Sequence, residues 1–371
     1  MSAYDVAVVG GGLMGAATAW AAARRGLHVV LFEQHQPAHA GGSSSGSARI
    51  VRRAYPDPFW VRLTGEAFEL WRELEQTTGT SLLRLVGGLD HGGGRDPDTL
   101  AQTLRGAGVP CELLPADEAA TRWPGLVFDG PVLHHAQAGT VDAEGAVAAF
   151  LTGAAAHGAQ VVTGAAVTRI HADAGGAELT TPLGPVTARR VVAAAGAWMP
   201  DLLRGLVPLP PLTVYQQQVF HFERTTLAAD TPVVIHKGER GVYHLPGGRS
   251  GGPGDARKVA EHDWSVPTSA TTRDGVVLDA ARERTVDYVR RWLPGLNPQP
   301  SSETTCLYTN TANEDFVIDR QGSVVVCSPC SGHGAKFAPL VGELAADLAT
   351  GVPPREERFT LAAHLAGAAA R

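Results

Sequence analysis

Three glycines near the start of the chain restrict its fold more than any other feature. Gly10, Gly12 and Gly15 stand between Asp5-Val6-Ala7-Val8-Val9, a short buried-strand pattern, and an alanine-rich stretch from Ala16 to Arg25 with no glycine or proline. Such G-x-G-x-x-G spacing lets the backbone turn tightly, approach a pyrophosphate and pack a helix against a strand, while the helix N-terminus contributes partial positive charge. Gly26 stands where a C-terminal cap belongs, and His28 to Phe32 predicts the next strand. Glu33 closes that strand eighteen residues past Gly15, close to the spacing at which an acidic side chain meets a ribose hydroxyl. A chance glycine turn is the alternative, and the placement between strand and helix argues against it. Gly10, Gly12, Leu13, Met14, Gly15 and Glu33 are therefore predicted to hold a dinucleotide, with FAD and NAD both open at this point.

The chain is 371 residues long, enough for two folded parts, and the remaining pattern divides accordingly. A Gly/Ser-rich loop from Gly41 to Ser47 and the basic stretch Arg49 to Arg53 precede a predicted helix from Trp60 to Glu75. Strand-like pieces around Leu83 to Leu89, with breaks at Pro124-Gly125 and Gly130-Pro131, suggest a different layer. A helix from Ala143 to His157, an alternating strand region from Gln160 to Ile170 and a strand from Arg190 to Ala195 return to the first pattern. Short strands from Val214 to about Asp263, with a loop at Gly247 to Gly254, leave it again. Strand, glycine turn and helix come back at Ser323 to Val326, Ser331 to Gly334 and Pro339 to Thr350, and Ala362 to Arg371 is expected to be a loose terminus.

Several function classes are disfavoured by composition. A net charge of -6 from intermixed acids and bases argues against a nucleic-acid partner. Met1 to Gly12 carries no charged leader pattern and no apolar run approaches a membrane span, so neither export nor membrane insertion is expected. Four cysteines, Cys111, Cys306, Cys327 and Cys330, are too few for a disulfide framework in so long a chain and fit a reducing cytoplasm.

Further motifs follow in a fixed order: Gly42-Ser43, Gly46, Arg49-Ile50-Val51-Arg52, Ala54-Tyr55, Arg122-Trp123-Pro124-Gly125 and Gly196-Ala197-Trp198. After them come Cys306 with Tyr308, Asp315-Phe316-Val317-Ile318-Asp319 and Ser331-Gly332-His333-Gly334-Ala335-Lys336-Phe337. Over nearly its whole length the chain thereby resembles the FAD-dependent amine and amino acid oxidase (DAO) family, in particular its sarcosine oxidase and N-methyltryptophan oxidase branch. Ser-Gly-His-Gly-x-Lys-Phe is far more specific than the glycine turn. The resemblance implies an α/β fold with a discontinuous, Rossmann-like FAD-binding domain of the glutathione-reductase type, spanning residues 1–82, 143–213 and 304–371. A second α+β substrate domain on a mixed or antiparallel sheet would take residues 83–142 and 214–303.

Roles for single residues are likewise what the resemblance implies. Cys306 occupies the position of a cysteine bonded to the 8α carbon of the isoalloxazine ring, although a buried free thiol is the commoner role for a lone cysteine. Arg52 and Lys336 match the pair that grips the substrate carboxylate, a fork of donors plus a point charge. Arg49 matches a cation over the flavin. Lys258 and His262 keep a Lys-x-Gly-x-His step, with Ala260 in place of glycine. There the lysine activates dioxygen by stabilising superoxide-like charge, and the histidine lines the substrate pocket, an exposed Lys/His pair being the alternative. Tyr243 matches a pocket tyrosine. Ser43, Val167, Gly196, Trp198, Gly332, His333 and Gly334, with Arg49 and Lys336, complete the expected cofactor contacts. Arg53, where relatives usually carry histidine, is expected to form a solvated surface salt bridge.

Cys327-Ser328-Pro329-Cys330 departs from the small residues of the relatives. A thioredoxin-like role needs this step at a helix start in another fold, and zinc needs more ligands than two thiols, so the segment is read as a reshaped pocket wall. No metal is expected. The implied reaction is oxidation of a secondary or N-methyl amino acid by hydride transfer to flavin N5, giving an imine that water hydrolyses, with dioxygen reduced to hydrogen peroxide. Two alternatives stay open: a tailoring oxidase of a cyclic imino acid or larger amine intermediate, and a flavin dehydrogenase or electron-transfer protein using another acceptor. The partners are a small amine or amino acid and dioxygen, and the chain is expected to act as a monomer.

Overall fold

The computed structural model describes residues 4–262 and 266–369, so Met1 to Ala3, Asp263 to Ser265 and the last two residues, all touched by expectations above, lie outside it. The opening strand, Tyr4–Val9, pairs in parallel with both Val29–Glu33 and Gly184–Ala193. Central parallel strands are covered on both faces, which is why this one reads as an unbroken apolar run. An eight-stranded sheet grows around it and includes Gln160–Thr163, Arg169–Asp173, Gly176–Thr181, Val317–Gln321 and Val324–Ser328.

Helices Leu13–Ala23, Ala143–Ala156 and Ala338–Ala349 pack on one face of that sheet. Their small residues allow close approach. A Cβ on Gly342 would lie 2.6 Å from the Ala17 backbone, and one on Gly153 would lie 2.7 Å from the Trp20 ring. The first helix depends on its glycines in the same way: a Cβ on Gly15 would stand 1.9 Å from the Gly10 carbonyl oxygen, while Gly10 itself has φ +106°.

A nine-stranded mixed sheet faces the first one. Its long pair, Thr213–Arg224 and Leu296–Asn310, is antiparallel and sets Gln217 opposite Cys306. Val233–Lys237 runs parallel to Gly88–His91, and the helix Asp279–Trp292 covers the far side with Tyr288 and Trp292 packed on the apolar cluster there. Leu296–Asn310 crosses position 304, so a boundary at that position divides one strand. A small three-stranded sheet joins Arg49–Arg52, Leu83–Arg84 and Ala138–Val141.

Three expectations need correction. The region from Gln160 to Ile170 is two strands, broken at Gly164, whose φ of +68° ends the extended run. The helix after the basic stretch is longer than its apolar pattern, Pro58–Thr78, because the Asp57 side chain caps it through Phe59 N and Gly79 closes it in the left-handed region. The terminus is a helix, Leu361–Ala369, tied down where Leu361 N donates to Asp319 and the buried His364 ring bonds the Phe316 carbonyl.

Candidate active site

A cavity of about 790 Å³ runs between the two large sheets from the glycine turn to the Ser331–Phe337 segment. At one end Gly10, Gly12, Leu13, Met14, Glu33, Ser43, Val167, Gly196 and Trp198 form its wall. The Glu33 carboxylate is 4% exposed and accepts from Gly11 N (2.7 Å) and His35 N (2.8 Å), so it is fixed against the turn by backbone donors. Leu13 N donates to Ser44 Oγ, and Ser43 Oγ donates to the Leu307 carbonyl, which ties the Gly/Ser loop to the Cys306 strand. Gly15 lies behind the turn and acts through packing. Ser44 and His39, whose ring stands 6.0 Å from that of Trp198, also line this end, and their signal was the glycine- and serine-rich loop itself.

The other end is crowded with cations. Arg49 donates to the carbonyls of Ser43, Ser45 and Ala48, so its guanidinium is anchored at the cavity edge. Lys258, on the strand Arg257–Glu261, donates, among the described residues, only a 3.3 Å bond to the Ala48 carbonyl. Burial first, and then the Arg49 charge, push its ammonium down to about 7, with Cys306 opposing. Cys306 lines the same wall, and Tyr243 Oη stands 3.2 Å from Tyr308 Oη.

Arg52 and Lys336 occupy the inner corner. The Arg52 guanidinium carbon lies 4.2 Å over the Tyr55 ring, and its Nη1 is buried with no hydrogen-bond partner among the described residues. Lys336 Nζ donates to the His333 carbonyl at 2.6 Å and stands 5.7 Å from the same tyrosine ring. Burial lowers both pKa values first, and repulsion among Arg52, Arg95 and Lys336 lowers them further. Neither forms an ion pair with a carboxylate among the described residues. A half-buried and a buried cation with spare donors are costly unless an anion completes them. Gly332, at φ +73°, brings the chain so close that a Cβ would lie 2.7 Å from the His262 ring, which itself sits 3.3 Å from Glu314 Oε1 and 5.6 Å from the Tyr308 ring.

The cysteines separate in character. Both Cys327 and Cys330 touch the cavity, but Cys327 is buried in the apolar core, where burial pushes its thiol up to about 12, whereas Cys330 is half-buried and accepts from Thr309 N. All four cysteines are free. Arg53 corrects the sequence reading: it is half-buried, donating to Gln137 Oε1 (2.8 Å) and the Val61 carbonyl (3.2 Å). Beside the start of the long helix, neutral acceptors replace the expected surface carboxylate. Sequence reasoning passed over Arg95, held against Asp90 at 2.5 Å, and Lys237, both of which line the cavity. Arg95 follows Gly92-Gly93-Gly94 and carries no motif.

These features fit a bound flavin dinucleotide. The glycine cradle at one end would be filled by a single Cβ, and the far end gathers cations and a thiol around one wall. Residues 5–348 match the family described as FAD dependent oxidoreductase. The chain is 36% identical to monomeric sarcosine oxidase of Streptomyces avermitilis over 365 residues, covering 93% of each. It is 30% identical to N-methyl-L-tryptophan oxidase of Salmonella agona over 369 residues, covering 95% of this chain and 96% of the relative. Among solved structures, NikD, described as an unusual amino acid oxidase essential for nikkomycin biosynthesis, superposes with a TM-score of 0.87 at 28% identity, covering 97% of this chain and 98% of that one.

Proposed function

Because the chain belongs to the family of FAD dependent oxidoreductases, we propose that it oxidises a secondary or N-methyl amino acid to an imine and passes the electrons to dioxygen, yielding hydrogen peroxide. The observation that carries this reading is the pair Arg52, half-buried, and Lys336, buried, two cations without a carboxylate partner among the described residues, in the same cavity as Lys258 and Cys306. FAD, when bound, accepts the hydride equivalent and hands electrons onward. Gly10, Gly12, Leu13, Met14 and Glu33 would hold its dinucleotide portion, with Ser43, Val167, Gly196 and Trp198 along the same wall. Gly332, His333 and Gly334 would flank the ring, and Cys306 would carry it as a thioether.

Arg52 supplies a planar fork and Lys336 a point charge to the substrate carboxylate, which orients the carbon that loses hydride. Surrounding positive charge also favours the neutral amine, whose lone pair drives that loss. Lys258 lies on the wall beside Cys306 and would stabilise the charge that dioxygen acquires. His262 and Tyr243 shape the substrate side. We further propose a monomer in the cytoplasm, with a discontinuous FAD domain (1–82, 143–213, 304–371) and a substrate domain (83–142, 214–303). Oxygen uptake by the purified protein with sarcosine, N-methyl-L-tryptophan and L-proline tests the reading, and no uptake with any secondary amino acid, alongside normal turnover with an artificial electron acceptor, would reject the oxidase assignment.

A second reading keeps the chemistry and changes the substrate to a cyclic imino acid or a larger amine intermediate. Pro329 and Cys330 in the cavity wall favour it, and so does the likeness to NikD. Anaerobic bleaching of the flavin by a panel of cyclic and N-methyl acids separates the two.

A further inference from the structure

On the face of the nine-stranded sheet turned away from the cavity, His91 and His236 stand side by side. They are register partners in the parallel pair Gly88–His91 and Val233–Lys237, and each is 2% exposed. Their neighbours Ile235 and Lys237 point into the cavity, so strand alternation sends the two histidines to the opposite side. The rings stack with centroids 4.1 Å apart. Tyr288, on the covering helix, lies 3.1 Å from His236 Nδ1. The tautomer that donates from Nδ1 to this hydroxyl leaves its lone pair on Nε2, a nitrogen buried with no hydrogen-bond partner among the described residues.

His91 Nδ1 is buried and unbonded as well, and Asp129 Oδ1 stands 3.7 Å from it, outside hydrogen-bonding range. One ligand atom from each of His91, Asp129 and His236 lies within 4.8 Å of the other two. Leaving a buried polar atom unbonded is costly, and two of them beside a carboxylate call for an occupant.

We propose that His91, Asp129 and His236 bind one divalent first-row cation of zinc-like preference, at a site separate from the flavin cavity. Two imidazole nitrogens and one carboxylate oxygen are a donor set suited to that class, and Tyr288 fixes the orientation of one imidazole from the second rank. Around a tetrahedral ion with bonds of about 2.0–2.2 Å the ligand atoms stand about 3.4 Å apart, so the group closes by roughly an ångström as the rings leave their stack. The Asp129 side chain is 46% exposed and has room to swing inward, and water supplies the remaining position. The ion ties the connection carrying Asp129 to two strands whose other face forms the substrate wall, which gives it a structural role.

Calorimetric titration of zinc sulfate into the EDTA-stripped flavoprotein tests the proposal, together with the unfolding midpoint. The expected result is one zinc per chain and a raised midpoint, with the flavin absorption unchanged. Asp129→Asn alters an exposed side chain, leaves folding intact, and should weaken zinc binding by about tenfold or more, while His91→Gln should abolish it. Should His91→Gln fail to fold, Asp129→Asn decides. Equal zinc binding by the wild type and Asp129→Asn, or no stoichiometric binding by the wild type, would overturn the proposal.

Discussion

Arg257 and Lys258 are consecutive residues of one strand, the first buried and the second half-buried, and the sheet sends them to opposite faces. Behind the sheet, Arg257 donates to His244 Nδ1 and to the carbonyls of Thr231, Pro232 and His244, so its fork is used up by the protein itself. In the cavity, Lys258 makes one long bond to a carbonyl. Arg95 and Arg52 repeat the contrast, the first locked to Asp90 and the Ala54 carbonyl, the second with a buried nitrogen unbonded. A cation held mainly by the protein's own acceptors holds the fold. One with donors to spare on a cavity is held ready for a ligand, and the protein carries the cost of burying it.

The comparison is broken most directly at Lys258. Replacing it with methionine should lower the rate of flavin reoxidation by dioxygen about 10²–10³-fold, the usual loss for one electrostatic donor, while anaerobic reduction by substrate changes far less. Stopped-flow measurement of the two half-reactions checks this, and equal losses in both would remove the distinction. Arg52→Gln should cost about 1.5–3 kcal/mol of transition-state binding, read as kcat/KM for an acidic substrate, with partial rescue by Arg52→Lys. A substrate ester lacking the carboxylate charge should be indifferent to the change.

Arg257→Leu should act on the other side of the contrast, lowering stability by about 1–3 kcal/mol because buried carbonyls lose their donors, and leaving the oxygen rate of the surviving folded protein intact. Chemical denaturation measures the first and stopped flow the second. The most gradual effect expected, at most about tenfold per pH unit, is a pH dependence. With Lys258 pushed down to about 7, its ammonium is full at lower pH and is lost as pH rises through that value, so reoxidation should slow with rising pH. Lys258→Arg, cationic throughout, should flatten the profile.

What the sequence made legible was local or motif-borne. The glycine turn, its helix and Glu33 lie within one βαβ unit, and periodicity plus glycine spacing suffices to place them. Arg52, Lys258, Cys306 and Lys336 are far apart in the chain, and only their family-like settings brought them into one expected site. The structure puts them on one cavity. The buried pair Asp90 and Arg95 went unseen because a structural salt bridge needs no motif, only a strand and the loop that follows it meeting at the right depth. Arg53 was misread because its surroundings depend on Gln137, eighty-four residues away, and the C-terminal helix because its anchors, Asp319 and Phe316, lie in another strand and loop. The stacked histidines are invisible in sequence for the same reason, since register between strands 145 residues apart aligns them.

Everything said of the ring end rests on a flavin held at Cys306. Acid precipitation of the purified protein, side by side with Cys306→Ser, tests that directly. The account predicts a yellow pellet from the wild type and a colourless pellet with yellow supernatant from the variant. A colourless wild-type pellet, with its flavin released into solution, would contradict it.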